Sequence, residues 1–422
     1  MKILTISAQK PDSTGSGVFL AQTARRFKEA GHEVAVVCGV APDDDPAASL
    51  APGIEVHPVT FETDELPFPV CGMSDVMPYR ATRYRDLSSE MAERFKSAFA
   101  RVISEADACF GPDLVICHHL YLATAVARQV LAHRRVCAVC HSTDLRQYAQ
   151  HVLERPFIAR QVRALDRILA LHHAQAEEIE ELFDVPASQV SLIGTGYDAE
   201  VFNRGDGRPP RAPSEPARLL YVGKIGLAKG VESLLSATDL LAADGAAFSL
   251  DLVGGHSDEG EYRRIRARAA RCAVEPRFLG KVPTERLVEA YRSSDVFVLP
   301  SFFEGLPLVI AEALACGCKV VTADLPGIRE FYGRFLPDAP IVYVKPPLME
   351  DVDKPRADEL PAYERRLADA LACTIALEPC ACDVSGLSWG RLAERMIEAA
   401  ASRGARGAAE DACAILGCET RG

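Results

Sequence analysis

At 422 residues the chain is longer than one ordinary α/β domain, so two domains are expected. Its 48% hydrophobic and 25% charged residues can fill two cores and exclude disorder on a large scale. Lys and Arg number 47 against 59 Asp and Glu, and the net charge of -12 excludes nucleic acid as a partner of the chain as a whole.

The count of 14 Cys is unusual for a secreted protein without disulfides, yet residues 1–7 run straight into a strand pattern rather than the basic segment and apolar stretch of a signal peptide. A reduced cytoplasmic setting is therefore expected. Cys137-x-x-Cys140 lies in an apolar run that reads as a buried strand. Neither Cys316-x-Cys318 nor Cys380-x-Cys382 completes a zinc spacing, so these are read as core cysteines and no metal is expected. No apolar run reaches the ~20 residues that span a bilayer.

In chain order, residues 2–6 read as a strand, a loop with Gly15-Ser16-Gly17 follows, and an amphipathic helix runs over 18–30 to Gly31. Residues 33–38 form the next strand. This opening begins a doubly wound parallel sheet, which takes ligands at the carboxyl ends of its strands. Leu20 replaces the third glycine of Gly-x-Gly-x-x-Gly, so no dinucleotide is implied. Further strands fit 113–117, 136–140, 168–171 and 190–193, with helical patterns between them. In 80–101 and 155–167 Arg recurs beside apolar residues at helical spacing; a solvated helix face is the commoner meaning and a membrane-surface helix the other.

Residues 204–216, rich in Pro, Gly and Arg, read as a linker between a first domain over 1–203 and a second over 217–385. In the second domain strands fit 218–222, 248–253, 274–278 and 296–299, and helices 231–242, 262–271 and 285–293. Residues 346–361 turn charged and Pro-rich, as a decorating loop would. A last helix within 386–402, carrying the sole Trp389, is expected to pack back on the first domain, and 403–422 reads as a loose tail.

The densest chemistry follows the strand at 296–299: a loop with Glu304-Gly305, then a helix through Glu312. N–H groups at that helix start favour a phosphate, and the two carboxylates suit sugar or ribose hydroxyls. Across the crevice, Gly223-Lys224 and Lys229-Gly230 form a glycine-rich turn with two cations, suited to a diphosphate or, equally, an ordinary turn with solvated Lys.

The segments Phe278-Leu-Gly-Lys-Val-Pro283, Ser294-Asp-Val-Phe-Val-Leu-Pro-Ser301, Glu304-Gly-Leu-Pro-Leu-Val-Ile-Ala-Glu312-Ala and Ala315-Cys-Gly317 resemble the large family of retaining Glu-x7-Glu glycosyltransferases, the family 4, group 1 type. That resemblance implies an α/β GT-B fold, two Rossmann-like doubly wound domains facing a central cleft. It implies that Glu312 binds the nucleotide ribose, Glu304 a donor-sugar hydroxyl, and the backbone of Gly305, Leu306, Pro307 and Leu308 sugar and phosphate. Lys224, where relatives usually have Arg, and Lys229 neutralise the diphosphate, Gly223 lets it approach, and the base packs near Val282. In the first domain the resemblance puts His141 beside the donor sugar and phosphates. Gly15 and Gly17 match the family's glycine-rich loop, while His118, His119 and Asp144 fall to the acceptor side. Gly194-Thr-Gly196 stands where relatives have Pro-Asn-Gly.

The activity so implied is retaining transfer from a nucleotide-diphosphate sugar to a glycan, lipid-linked or small-molecule acceptor, in cell-envelope glycan synthesis. It needs no dedicated base, no metal and no cofactor beyond the donor. Docking of the acceptor on residues 68–84 and peripheral contact with the inner face of the membrane are part of that expectation. A nucleotide-sugar epimerase of the same fold and a non-catalytic two-lobed binder are the rivals.

Overall fold

The computed structural model describes residues 1–402 except 12, 75–76, 207–210, 213–214, 352 and 379–381. Parts of the expected linker, Cys380 and the tail 403–422 thus lie outside the described residues. The chain divides into two units, Met1–Gly194 with Trp389–Gly422, and Thr195–Ser388, so the break falls before the expected residue 203.

In unit 1, β1 (Lys2–Ser7), α1 (Gly15–Glu29), β2 (Glu33–Val40) and β3 (Glu55–Thr60) are followed by the short pair β4 (Cys71–Gly72) and β5 (Thr82–Arg83). Then come α2 (Ser89–Phe110), β6 (Leu114–His118), α3 (Leu122–Val130), β7 (Val136–Val139) and α4 (Thr143–Gln150). The last are α5 (Arg155–Arg163), β8 (Arg167–Ala170), α6 (His173–Phe183) and β9 (Val190–Leu192). The main sheet is parallel with order β3-β2-β1-β6-β7-β8-β9. Its inner strands are runs of Val, Ile, Leu, Ala and Cys buried on both faces, as a sheet covered by helices requires. Edge strand β3 contains Pro58, tolerable only where no neighbour needs its N–H.

Unit 2 restarts the alternation with β10 (Ala217–Val222), α7 (Val231–Ala243), β11 (Phe248–Val253), α8 (Glu259–Ala269), β12 (Arg277–Gly280), α9 (Thr284–Ser293) and β13 (Val296–Leu299). It continues with α10 (Leu308–Ala315), β14 (Lys319–Ala323), α11 (Ile328–Phe335) and β15 (Ile341–Val344), giving the parallel order β12-β11-β10-β13-β14-β15. The decorating segment contains regular elements: β16 (Met349–Asp351) and β17 (Lys354–Pro355) pair antiparallel, and α12 (Leu360–Ala376) begins inside it. Pro361 sits in the first turn of α12, where a missing N–H costs nothing. The final helix, α13 (Trp389–Ala401), belongs to unit 1 and packs on α1, with Trp389 edge-on to Phe19 at 5.3 Å.

The arginine-rich stretches do not present a free apolar face. In α2, Phe95, Phe99, Val102 and Ile103 are buried, while Arg94 and Arg101 pair with Glu90, Glu65 and Glu105. In α5, Arg155 donates to the carbonyls of Tyr148, Ala149 and His151. Among the described residues no helix is long and apolar enough to cross a membrane.

Candidate functional site

A doubly wound sheet opens a crevice where neighbouring strands send their chains in opposite directions. In unit 2 that point lies between β10 and β13. Three loops meet there, and two glycines let them touch. Gly230 has φ +68°, and a Cβ on it would stand 2.1 Å from the carbonyl oxygen of Pro300. Gly254, after β11, has φ +138°, and its Cβ would come within 1.8 Å of the Gly223 oxygen. Ile225 N–H donates to Gly255, Phe302 N–H to Ala228, and the Tyr363 hydroxyl of α12 to Pro300 at 3.0 Å. Glu261 of α8 accepts the Leu227 N–H at 3.1 Å.

On this frame Lys229 Nζ donates to Glu304 Oε1 at 2.7 Å and to the Phe303 carbonyl at 3.3 Å, so the cationic turn and the acidic loop touch directly rather than facing each other across an opening. Both side chains are largely covered, at 28% and 16% exposure. Lys224 is exposed and makes no ion pair among the described residues; its carbonyl accepts the Tyr221 hydroxyl at 2.7 Å. The first turn of α10 directs its N–H groups back towards the Glu304 loop. Gly305 and Leu308 are partly exposed and Leu306 is buried. Pro307 caps the helix and has no N–H to donate, so it cannot serve as one of the binding amides. Gly223 and Val282 are partly exposed at the ends of β10 and β12. Glu312 takes a hydrogen bond from the Tyr291 hydroxyl at 3.1 Å, and burial pushes its carboxyl up to about 7.

The corresponding point of unit 1 lies between β1 and β6. Helix α1 begins at Gly15, with Thr14 as cap accepting the Gly17 N–H at 3.1 Å, so both glycines lie in the first helical turn rather than in a loop. A Cβ on Gly15 would meet nothing within 4 Å, so packing does not demand a glycine there. Gln9 Oε1 accepts from Ser16 Oγ at 2.9 Å and from His119 Nε2 at 3.3 Å, which leaves His119 Nδ1 a bare acceptor. His118 Nδ1 and His141 Nε2 share a hydrogen bond of 3.1 Å. Phe19 stands edge-on to both rings.

Burial pushes His141 down to about 3, and burial together with the neighbouring imidazoles holds His118 and His119 well below the usual range. All three are neutral hydrogen-bonding groups at physiological pH. His118 and His119, expected on the acceptor side, are 2% and 4% exposed, and each keeps one buried ring nitrogen without a partner among the described residues. Asp144, expected there too, has no exposed surface. Its carboxylate accepts the Leu120 N–H at 2.6 Å and the His141 N–H at 3.1 Å, tying the ends of β6 and β7 together. Phe68, Val70, Cys71, Met73 and Tyr84 of the expected docking loop are core residues. Cys137 and Cys140 are buried, and burial holds the Cys137 thiol up at about 12.

Sequence reasoning did not single out Tyr291, Tyr363 or Glu261, whose partners lie 21, 63 and 34 residues away. A Tyr three and four positions after Val288 and Leu287, on the apolar face of α9, was the available signal for the first.

The sequence model described as Glycosyltransferase Family 4 matches residues 13–201, and that described as Glycosyl transferases group 1 matches residues 206–335. The chain is 28% identical over 350 residues to D-inositol 3-phosphate glycosyltransferase 2 of Catenulispora acidiphila, covering 75% of each chain. It is 25% identical over 353 residues to glycogen synthase of Mycobacterium tuberculosis, covering 78% of this chain and 80% of that one. In structure it resembles sucrose-phosphate synthase from Thermosynechococcus elongatus, with a TM-score of 0.62 at 20% identity over 94% of this chain and 98% of that one. A trehalose-6-phosphate structure from E. coli bound with UDP-2-fluoro glucose also has a TM-score of 0.62, at 11% identity over 95% of each chain. With family 4 matching unit 1 and group 1 matching the loops around Glu304 and Glu312, the chain belongs to the glycosyltransferases of the GT-B fold.

Proposed function

We propose that the chain transfers a sugar, with retention of anomeric configuration, from a nucleotide-diphosphate sugar to an acceptor hydroxyl. The observation that carries the reading is the contact of Lys229 with Glu304 before the first turn of α10, with Glu312 on the same helix. Cation and helix start suit a diphosphate, and the two carboxylates suit hydroxyls. Glu312 takes the ribose, Glu304 the donor sugar, Lys224 and Lys229 the diphosphate, and the backbone at Val282 the base. The N–H groups of Gly305, Leu306 and Leu308 complete the cradle. Because Lys cations and the helix start carry the charge of the departing nucleotide, the reading needs no metal. His141, neutral and partly exposed, offers a hydrogen bond rather than a charge to the donor.

The names of the relatives, an inositol phosphate glycosyltransferase and a glycogen synthase, support an acceptor that is a polyol or a glycan. A lipid-linked glycan of envelope synthesis on the cytoplasmic side fits the same chemistry. The test is thermal stabilisation and nucleoside-diphosphate release with UDP-, GDP- and ADP-sugars, on the wild type and on Glu312→Ala. Stabilisation by one nucleotide, lost in the variant, with release only when an acceptor is present, is the expected result. Release without acceptor points to an epimerase, and absence of any shift removes the donor site.

A further inference from the structure

Burying a carboxylate is costly unless something hydrogen-bonds its charged form. At Glu312 burial is the dominant influence, and it favours the protonated acid. The groups facing it are Tyr291 from α9, Tyr332 from α11 and Cys316 at the end of α10. Of these, Tyr291 alone, among the described residues, favours the ionised form, by donating to Oε2 at 3.1 Å. Glu312 Oε1 has no hydrogen-bond partner among the described residues.

Tyr291 is held for this task from every side. Its ring has no exposed surface and stands edge-on to Phe202 at 5.9 Å and to Phe297 at 5.8 Å. Its carbonyl accepts from Cys318 Sγ at 3.1 Å. The next residue, Arg292, is fixed by two hydrogen bonds to Asn203. Burial, reinforced by the Glu312 carboxylate, keeps the phenol protonated far above neutral pH, so it remains a donor.

We propose that Tyr291 is a positioning residue of the donor site: its hydroxyl, bound to one oxygen of Glu312, favours the carboxylate form and leaves the second oxygen for the ribose hydroxyls of the nucleotide. This rests on the donor-site reading above. The phenol touches no reacting atom; it acts through Glu312, and its removal should appear as a changed pH dependence of nucleotide affinity.

The experiment is calorimetric titration with UDP, GDP and ADP, from about pH 5.5 to about pH 9, on the wild type, Tyr291→Phe and Glu312→Gln. For the nucleotide that the wild type takes, affinity should fall as pH drops through neutrality. In Tyr291→Phe the midpoint should move up by about one pH unit, leaving binding about tenfold weaker near pH 7 and close to wild type at the alkaline end. Glu312→Gln should bind weakly and keep only the midpoint at about pH 6 of the nucleotide's own terminal phosphate, which all three proteins share. Affinity unchanged in Tyr291→Phe, or lowered by the same factor at every pH, overturns the proposal while leaving the donor site standing. If none of the nucleotides binds the wild type, the donor-site reading falls and takes this inference with it.

Discussion

The two units share one plan and differ in the chemistry at its centre. Each is a parallel sheet whose strand order turns between its first and fourth main strands, and each gathers polar groups at that turn. In unit 1 the groups are Gln9, Ser16 and three imidazoles that burial holds neutral beside the Phe19 ring. In unit 2 they are Lys229, Glu304, Lys224 and Glu312, set among glycines and a helix start. The fold supplies a place; the residues that follow each strand decide whether it favours charge.

The sharpest way to break this contrast is by pH, because the two sites act with opposite sign. His141 has a folded pKa of about 3 against an ordinary 6.5, so the unfolded chain takes up the proton first as pH falls. Its contribution is intact above 6.5 and is lost towards 3, by on the order of a few kcal/mol. Unfolding of unit 1 followed against pH should be less acid-sensitive in His141→Gln than in the wild type. Equal slopes would mean that the imidazole is not buried neutral.

Glu312 works the other way. Its folded value of about 7 lies above the ordinary 4.5, so the folded state holds the proton longer and stability is lost as pH rises from 4.5 to 7, by about 3 kcal/mol. Glu312→Gln should abolish this slope in the melting of unit 2, making the variant relatively more stable at pH 8 than at pH 4.5.

A third test removes the tie between strand ends. Asp144→Ala leaves the buried N–H groups of Leu120 and His141 unsatisfied, for a loss of about 2 kcal/mol in unit 1. Faster hydrogen exchange of those two amides, with no change in unit 2, is the expected outcome. A loss confined to activity would instead favour the acceptor-side expectation for Asp144.

How far these centres were legible follows from distance along the chain. Glu304, Pro307 and Glu312 lie in one loop and one helix, and an apolar strand announces them, so unit 2 could be read almost directly. The histidines were visible as residues, but their neutral state depends on burial and on the neighbouring imidazoles, which a long-range packing of β1, β6 and β7 creates and no local pattern reports. Edge strand β3 was hidden by Pro58 and α12 by the charged, Pro-containing stretch before it, although α12 supplies the Tyr363 hydroxyl that braces Pro300. The place of Tyr291 on the apolar face of α9 was legible, but its task was not, because the hydrogen bond that gives it meaning joins two helices separated by β13.

The smallest expected effect tests the charged pair itself. Lys229 is already engaged by Glu304 and by the Phe303 carbonyl; under the proposed function a diphosphate would compete for the ammonium, and a sugar hydroxyl would compensate Glu304 once the lysine turns away. Glu304→Gln removes the competing charge but keeps the shape. Calorimetry should then show the nucleoside diphosphate alone binding about threefold to tenfold tighter than in the wild type, a gain of the size of one partly exposed ion pair. The intact nucleotide sugar should lose much of its advantage over the bare diphosphate, because the amide holds a hydroxyl less strongly than the carboxylate. If Glu304→Gln instead weakens both ligands equally, the pair is scaffolding for the loop, and the charge that distinguishes unit 2 from unit 1 must reside in Lys224 and the start of α10.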